Sequence, residues 1–283
     1  ARYLVNCAGG FADKIAEMAG DKFFEIIPRA GEYMLLDKSE GKTVSHTIFQ
    51  VPSASGKGVL VTPTADGNLL LGPTAERVKT PDNTETTAGG LKTVAELAKK
   101  SVPGVNTRAV ITSFSGVRAS EKNGDFIIKE SDKIKGLIHA AAIDSPGLSS
   151  SVAIAEYIAE LLEKSGLKLT QNPDFNGTRE DTHAFRKMSD DEKDEYIKQN
   201  PAYGRIICRC ETVSEGEIID ALRRNPKATD IDGVKRRTRA GMGRCQGGFC
   251  MPYVMRLIEK ETGKPMTEIT KKGGKSNTVT GRL

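Results

Sequence analysis

Four of the five cysteines stand close together near the C-terminal end, and this pattern constrains the fold more than any other feature. Cys208 and Cys210 form a Cys-x-Cys pair, 34 residues follow, and Cys245 and Cys250 form a Cys-x4-Cys pair. Glycines crowd the second pair in the stretch "GMGRCQGGFC". Glycine lets backbone amides approach sulfur closely, and such N–H groups stabilise negative charge on thiolates or sulfides.

Three kinds of site can use four thiols at this spacing. Two disulfides suit a secreted domain, but the first residues do not read as a signal peptide and Cys7 would be left over. Structural zinc sites usually take cysteine pairs spaced by two to four residues, and Cys-x-Cys is tight for that. The third kind is a 2Fe–2S cluster held by four thiolates. The spacing alone leaves all three open.

The positive charge of the chain is concentrated around these cysteines. The net charge is +5, and residues 201–260 hold 12 Lys or Arg against 7 Asp or Glu, so the rest of the chain is neutral. Such a stretch either offsets the negative charge of a thiolate site or binds nucleic acid. It lacks interleaved aromatic residues, and we therefore expect no nucleic-acid partner.

The sequences that flank the cysteines make the pattern more specific. Residues 201–260, with "PAYGRIICRCETVSEGEI" and "RTRAGMGRCQGGFC", resemble the ferredoxin domain of the bacterioferritin-associated type. The resemblance implies a 2Fe–2S cluster on Cys208, Cys210, Cys245 and Cys250. Cys7 is expected to lie far from these four and to be buried beside the first strand. Positive charge near such a cluster favours its reduced state and raises its potential. Six arginines near the ligands are candidates for this role: Arg205, Arg209, Arg236, Arg237, Arg239 and Arg244.

The first 165 residues alternate between two structural patterns. "YLVNCA", "GG" and "FADKIAEMAG" read as strand, turn and helix. Short strand-like runs with Pro and Gly follow, including "TIFQVPSAS" and an Asp-Gly hairpin turn in "ADGN", with one helix in "TTAGGLKTVAELAKKSV". The strands "DFIIKES" and "LIHAAAID" and the helix "SSSVAIAEYIAELLEKSG" then restore the first pattern. The fold class is therefore α/β combined with α+β.

This part of the chain resembles the D-amino-acid-oxidase-like FAD family. The words that carry the resemblance are "LVNCAGGFADKIAEMAG", "IIPRAGEYMLLD", "KGVLVTPTADGNLLLGPTAE", "SFSGVRAS" and "IDSPGLSSSVAIAEYIAELL". The branch of the family whose motifs are most similar contains the anaerobic-type glycerol-3-phosphate dehydrogenases and the L-2-hydroxyglutarate dehydrogenases. The resemblance implies that an FAD-binding domain and an antiparallel substrate domain interleave along the chain.

The expected organisation has six parts. Residues 1–20 and 116–166 belong to the FAD-binding domain, and residues 21–115 form the antiparallel substrate domain. Residues 167–200 are a linker with a helix capped by Ser189 and Glu192. Residues 201–265 are the 2Fe–2S module, with one helix capped by Thr212 and Glu215 and another opened by Pro252. Residues 266–283 form a mobile tail.

The resemblance implies specific site residues in the first 165 positions. The turn at Gly9 and Gly10 would let the backbone approach the cofactor, and Gly116 and Val117 would contact the flavin. The helix end formed by Gly147, Leu148, Ser149 and Ser150 would stabilise the anion of the reduced ring. Arg118 would bind a substrate carboxylate or phosphate, with Arg29 as a second candidate. Taken alone, these features also fit an ordinary helix cap and a surface ion pair.

Two departures from the family pattern stand out. Hydroxyglutarate-type enzymes carry His where Leu60 stands, which leaves the general base unassigned; His46 is a weak substitute, and His139 and His183 have no compelling context. The Gly-x-Gly-x-x-Gly motif that holds the FAD pyrophosphate is absent from the sequence. We therefore expect the chain to be the C-terminal portion of a longer enzyme and to be inactive alone.

The expected function is that of a glycerol-3-phosphate dehydrogenase in which FAD passes electrons to a 2Fe–2S cluster. One alternative is an L-2-hydroxy-acid or amino-acid dehydrogenase of the same fold, and another is an iron–sulfur redox-sensing or interaction module without turnover. Expected partners are a small anionic substrate and an electron-acceptor protein or quinone. Peripheral membrane association and oligomer formation stay open, and the expected location is cytoplasmic.

Overall fold

The computed structural model describes residues 1–51, 58–178 and 184–281, which divide into two compact units. The N-terminal unit is Ala1–Phe175 and the C-terminal unit is Asn176–Leu283. The strands of the N-terminal unit are β1 (Leu4–Asn6), β2 (Ile27–Leu36), β3 (Leu60–Pro63), β4 (Leu69–Gly72), β5 (Glu76–Arg77), β6 (Val110–Ser120), β7 (Ile127–Glu130) and β8 (Leu137–Ala141). Its helices are α1 (Ala12–Met18), α2 (Ala88–Ser101) and α3 (Gly147–Lys164).

A three-stranded sheet in the order β1-β8-β7 joins the beginning of the chain to residues 127–141. Strand β1 runs parallel to β8, with Leu4 opposite Leu137, and β7 runs antiparallel to β8. Parallel strands need a long crossover, and here the crossover contains the whole antiparallel sheet. The chain therefore leaves the first layer and returns to it, which is the interleaving expected from the sequence.

The antiparallel sheet is built around the long strand β2. Its order is β3-β4-β2-β5, and β6 pairs with β2 from Ile27 opposite Ser120 to Leu36 opposite Val110. One face of this sheet packs on α2 and buries Leu36, Leu71 and Val94 completely. The β3–β4 hairpin turns at Gly67, which has a φ of +84°, so the turn predicted from Asp-Gly is confirmed.

Two parts of this sheet differ from the expectation. The predicted strand in "TIFQVPSAS" is wrong over its first half, which makes only an isolated bridge between Ile48 and Val61; residues 52–57 lie outside the described chain. Strand β6 runs without interruption from Val110 to Ser120. Residues 116–120 therefore belong to the antiparallel sheet, although the sequence placed them in the FAD-binding layer.

The C-terminal unit consists of short elements around a single core. They are α4 (Asp190–Gln199), β9 (Ile206–Cys208), β10 (Val213–Ser214), α5 (Glu215–Arg223), α6 (Ile231–Thr238) and α7 (Met251–Thr262). Ile218, Val234 and Ile258, one from each of α5, α6 and α7, are completely buried in this core. Within the described ranges, no helix has the length and apolarity needed to cross a bilayer.

The helix ends confirm two predictions and correct one. Ser189 and Glu192 form a capping box on α4, and Pro252 lies in the first turn of α7. The prediction that Thr212 caps α5 is wrong, because Thr212 adopts a left-handed φ of +51° in the turn between β9 and β10. Ser214 caps the helix instead, with Glu217 completing the box.

The predicted mobile tail is also wrong for the part of it that the structure describes. Ile269 is 1% exposed and belongs to the core of the C-terminal unit. Thr270 and Asn277 form an antiparallel bridge, and the Lys271 ammonium lies 2.8 Å from Asp232 on α6. A hydrophobic anchor and a charge pair thus hold this segment on the module, although its Gly- and Lys-rich composition resembles that of an unstructured end.

Candidate functional sites

The four clustered cysteines form two thiol pairs in the C-terminal unit. The Sγ atoms of Cys210 and Cys245 are 3.5 Å apart, and this pair lies near the surface. Cys208 and Cys250 are buried and share a hydrogen bond between their thiols. All five cysteines are free thiols. The structure therefore brings the two predicted pairs to one place by joining the first cysteine of the pattern to the fourth and the second to the third.

The local sequence explains how the thiols meet. Cys208 ends β9, and Cys250 lies at the cap position of α7, so one member of the buried pair sits at each of two element ends. Gly243 passes so close to Cys210 that an added Cβ would lie 2.3 Å from the Cβ of that cysteine. Gly247 has a φ of +89° and turns the loop between Cys245 and Cys250. Glycine is required here for close approach and for backbone conformation.

Each pair stabilises one thiolate at the expense of its partner. The hydrogen bond from Cys250, with backbone N–H groups of Gly241 and Glu211, lowers the pKa of Cys208 to about 6. The bond to Cys208 raises the pKa of Cys250. Burial pushes the pKa of Cys245 upward, but N–H groups in the following loop and the Cys210 thiol outweigh it, and its net shift is downward. The bond to Cys245 raises the pKa of Cys210.

This donor set fits a 2Fe–2S cluster better than a mononuclear metal. No group of three or more His, Cys, Asp or Glu within residues 1–51, 58–178 and 184–281 is arranged to hold a metal ion at one point. Two separate thiol pairs lined by backbone N–H groups are what a two-iron core requires, because each iron takes two thiolates. Cys7 lies in the other unit and is exposed, so the expectation that it would be buried is wrong.

The six arginines expected around the cluster have more varied roles. Arg205 pairs with Glu215 at 3.0 Å, and Arg237 donates to two backbone carbonyls. Arg239 donates to the buried carboxylate of Glu211, the residue that follows Cys210. Of the six, Arg239 is therefore the one that the structure places in a buried charge group beside the thiols.

In the N-terminal unit, the two predicted substrate arginines stand side by side on the antiparallel sheet. Arg29 on β2 is opposite Arg118 on β6 and, on its other side, opposite Arg77 on β5. Directly paired residues point to the same face of a sheet, so three arginines form a row. This is the face that α2 does not cover. Adjacent like charges destabilise a sheet, and a bound anion would relieve that repulsion.

Next to the arginine row, the same face carries a gap and then an aromatic pair. Gly31 is opposite Gly116, and a Cβ added at Gly116 would meet no atom within 4 Å. Tyr33 is opposite Phe114, and their rings stack with centroids 5.1 Å apart. The face thus offers cations, a slot above Gly116 and an aromatic wall, in that order along the strands. Gly31 borders the slot, because Pro73 and the Arg118 guanidinium lie over it.

The Arg118 guanidinium is held beside the slot by its neighbours. Its Nη2 lies 3.4 Å from the Tyr33 hydroxyl, and its Nε lies 3.8 Å from an Asp144 carboxylate oxygen. An added Cβ at Gly31 would lie 2.9 Å from Nη1. Ser120 donates a hydrogen bond to the other oxygen of Asp144. These contacts hold a planar fork above Gly31, beside the open space at Gly116, where it can bind a carboxylate or phosphate.

Asp144 also connects Arg118 to the predicted flavin-side helix end. Its carbonyl accepts from Gly147 N–H at 2.6 Å, which fixes the start of α3. Leu148 is 91% exposed at this end, and the hydroxyl of Ser150 donates to the Pro146 carbonyl. Together with Ser149, these residues remain the predicted cofactor-binding end of the helix.

The remaining predicted cofactor residues, Gly9, Gly10 and Val117, have different surroundings. Gly9 has a φ of +54° and starts a short turn that packs beside β6. Gly10 is required for packing, because an added Cβ would lie 2.5 Å from Pro81. Val117 is opposite Ala30, so its side chain points to the face covered by α2. Only the backbone of Val117 is available on the open face.

The two histidines that the structure describes offer no general base at this face. His139 is completely buried, and its Nε2 lies 3.1 Å from Asp21. The Asn6 amide nitrogen lies 3.2 Å from its Nδ1; because an amide NH₂ only donates, Nδ1 accepts and Nε2 carries the proton. His46 is exposed beside Ser45, and His183 lies outside the described residues.

Comparison with known proteins identifies both regions. The model of the FAD dependent oxidoreductase family matches residues 1–161, which is more than half of the chain. The chain belongs to this family. The model of the BFD-like [2Fe-2S] binding domain matches residues 206–260. FAD and a 2Fe–2S cluster are therefore the cofactors of the two regions.

Individual relatives of this FAD-dependent oxidoreductase agree with these matches. A glycerol 3-phosphate dehydrogenase of Caloramator mitchellensis is 48% identical over 99% of this chain and 58% of its own length. The structure of an L-alpha-glycerophosphate oxidase from Mycoplasma pneumoniae with FAD bound is 31% identical, with a TM-score of 0.56 over 62% of this chain and 46% of its own. A glycerol-3-phosphate dehydrogenase from Bacillus halodurans, 17% identical, shares the fold with a TM-score of 0.63 over 93% of this chain and 58% of its own.

Sequence reasoning missed several residues of both sites. Asp144 precedes "SPGL" and could have been suspected, because the helix dipole favours an acidic residue at a helix start. The slot between the arginines and the Tyr33–Phe114 pair had no signal, since it depends on the register of β2 against β6. Glu211 was passed over as one acid among basic residues, although its position directly after Cys210 was visible.

Proposed function

We propose that this chain is part of an FAD-dependent glycerol-3-phosphate dehydrogenase that sends electrons to a 2Fe–2S cluster. The observation that carries the proposal is the occurrence, in one chain, of the oxidoreductase match over residues 1–161 and the [2Fe-2S] match over residues 206–260. When bound, the flavin would accept a hydride from a carbon bearing a hydroxyl, and the cluster would carry single electrons. The chain spans 58% of the length of the Caloramator relative, so the proposed activity is that of the whole protein.

The open face of the antiparallel sheet would bind the substrate. Arg118 would take its anionic group through two parallel N–H donors, and Arg29 would add a second positive charge from the neighbouring strand. Tyr33 and Asp144 would orient the Arg118 fork. The start of α3 would contribute about half a positive charge on the flavin side. The residue that removes the hydroxyl proton is unassigned.

The cysteine pairs would hold the cluster, and electrons would leave one at a time to an acceptor protein or quinone. The surface position of the Cys210–Cys245 pair supports an exit on that side. We propose a cytoplasmic location, because four free clustered thiols suit a reducing compartment.

The deciding experiment uses the full-length protein, purified without oxygen and containing both cofactors. Adding glycerol 3-phosphate should bleach the flavin and cluster absorbance bands, whereas glycerol, which lacks the anionic group, should leave them unchanged. L-2-hydroxyglutarate and an L-amino acid test the same-fold alternatives, since Arg118 suits a carboxylate as well as a phosphate. Bleaching by one of these instead would replace the proposed substrate. Cofactor bands that no substrate bleaches would favour a sensing or interaction module.

A further inference from the structure

The cysteine module contains a buried carboxylate directly beside an expected cluster ligand. Glu211 follows Cys210, and its side chain is only 1% exposed. One oxygen of this carboxylate lies 3.1 Å from Nη1 of Arg186 and 2.9 Å from Nε of Arg239. Both arginine side chains are largely buried, at 23% and 20% exposure. A buried carboxylate is costly without partners, and two charge-assisted hydrogen bonds offset that cost.

This group lies against the thiols as well as next to them in sequence. The backbone N–H of Glu211 donates to the Cys208 thiol. A Cβ added at Gly243 would lie 2.3 Å from the Cβ of Cys210 and 3.4 Å from the Glu211 carboxylate. One small gap therefore separates the carboxylate from a ligand of the Cys210–Cys245 pair. Charges at such a distance, shielded from water, act strongly on each other.

The two arginines reach Glu211 from different parts of the chain. Arg239 ends α6 in a left-handed conformation, with a φ of +71°. Arg186 belongs to the short turn Phe185–Lys187, which precedes the 201–260 region that carries the ferredoxin resemblance. The segment before the module therefore contributes a charge to the neighbourhood of the cluster.

We propose that Arg186, Glu211 and Arg239 form a charge group that sets the reduction potential of the cluster. The inference rests on the proposed 2Fe–2S cofactor. With all three residues ionised, the group carries one net positive charge. Reduction adds one electron to the cluster and changes the charge of its core and four thiolates from −2 to −3. A nearby positive charge stabilises the reduced state. Removing a positive charge should therefore lower the potential, and removing the negative charge should raise it.

The test is a dithionite titration of the 283-residue chain with its cluster reconstituted from iron and sulfide without oxygen. The electron paramagnetic resonance signal of the reduced cluster reports the potential. Arg186→Gln should lower the equilibrium constant for reduction about tenfold, which is about 59 mV for a one-electron couple. Glu211→Gln should shift the potential by a similar amount in the opposite direction. The double variant restores the net charge and should return the potential close to that of the wild type.

Three controls separate this charge effect from a structural one. Arg223→Gln and Glu261→Gln make the same charge changes in an ion pair of this unit whose arginine is 67% exposed, so their shifts should be much smaller. Arg186→Lys keeps the charge and should keep the potential. If Glu211→Gln does not assemble a cluster, the Arg186 variants still decide the matter.

Equal shifts for Arg186→Lys and Arg186→Gln would overturn the inference. Shifts of one sign for Arg186→Gln and Glu211→Gln, or shifts no larger than those of the exposed controls, would also overturn it. A wild-type chain that yields no 2Fe–2S signal would overturn the proposed cofactor, and this inference with it.

Discussion

At the scale of single residues, the shape of the Arg118 side chain matters as much as its charge. Arg118→Lys keeps the charge but loses the planar fork that Tyr33 and Asp144 direct over Gly31. Hydrogen bonds to charged groups contribute about 1.5–3 kcal/mol, so the KM for glycerol 3-phosphate in the full-length enzyme should rise roughly 10- to 100-fold. FAD absorbance should be unchanged. The exposed Arg108 provides the control, and Arg108→Lys should leave KM as it is; unchanged kinetics in Arg118→Lys would remove Arg118 from the site.

A substitution at Gly116 tests whether this glycine leaves room for a ligand or is needed for the backbone conformation. Its φ is not positive, and an added Cβ would meet no atom, so Gly116→Ala should not lower the unfolding midpoint. The methyl group would stand in the slot beside Arg118, and we expect a KM for glycerol 3-phosphate about tenfold higher, since small displacements of a bound substrate are costly. Gly89→Ala on α2 also meets open space and is the matched control, with KM unchanged. Equal KM values in both variants would show that the slot is not used.

At the scale of elements, a buried network ties β1, the end of α1 and β8 together. Asp21 accepts from His139, and His139 accepts from Asn6. Hydrogen bonds from the Ser131 side chain and from His139 outweigh burial and lower the pKa of Asp21. A lowered carboxyl pKa means that the unfolded state binds the proton more readily. The stability from Asp21 is therefore fully present above the ordinary pKa of Asp, about 4, and is lost as pH falls below it.

Asp21→Asn should remove part of this acid sensitivity. The variant should be less stable than the wild type at pH 7, and the difference should shrink towards pH 3 in urea unfolding followed by circular dichroism. Asp82→Asn, at an exposed turn residue between β5 and α2, is the control and should show no such convergence. A difference independent of pH would mean that the Asp21 charge contributes nothing to folding.

The start of α5 tests whether the cap lies where the structure places it. Ser214 is completely buried and accepts from Glu217 N–H at 3.2 Å. Ser214→Ala should lower the free energy of unfolding by about 1 kcal/mol or more, because it removes the cap and leaves that N–H unpaired. Thr212→Ala should cost much less, since the Thr212 side chain does not cap the helix. The reverse order in urea unfolding would support the cap predicted from sequence.

At the scale of the whole molecule, we expect the two units to differ in cofactor binding when the chain is studied alone. FAD affinity in this fold depends largely on the pyrophosphate-binding turn of a Gly-x-Gly-x-x-Gly motif, which is absent from these 283 residues. We expect the chain alone to bind no FAD with useful affinity, while its cysteine module still takes up a cluster. Flavin fluorescence quenching measures the first and visible absorbance the second. Tight stoichiometric FAD binding by this chain would show that the cofactor site was misplaced.

The sequence by itself determined the features that depend on local spacing. The Cys-x-Cys and Cys-x4-Cys pairs, the Asp-Gly hairpin and the capping box at Ser189 each involve residues close in sequence, so the pattern and the geometry coincide. The interleaved fold could also be predicted from the sequence, because the motifs of the family occur in the expected order along the chain.

Tertiary structure alone decided which distant residues meet. The register of β2 against β6 places Arg29 beside Arg118 and Gly31 beside Gly116, and a shift of one residue would send these side chains to the other face. Burial decided that Cys208 pairs with Cys250 and that Glu211 sits between two arginines. It also fixed Ile269 in the core, where a Gly- and Lys-rich segment was expected to be loose. Such contacts depend on packing between segments far apart in the chain, and the free energy of burying an apolar or charged group there is not encoded in local composition.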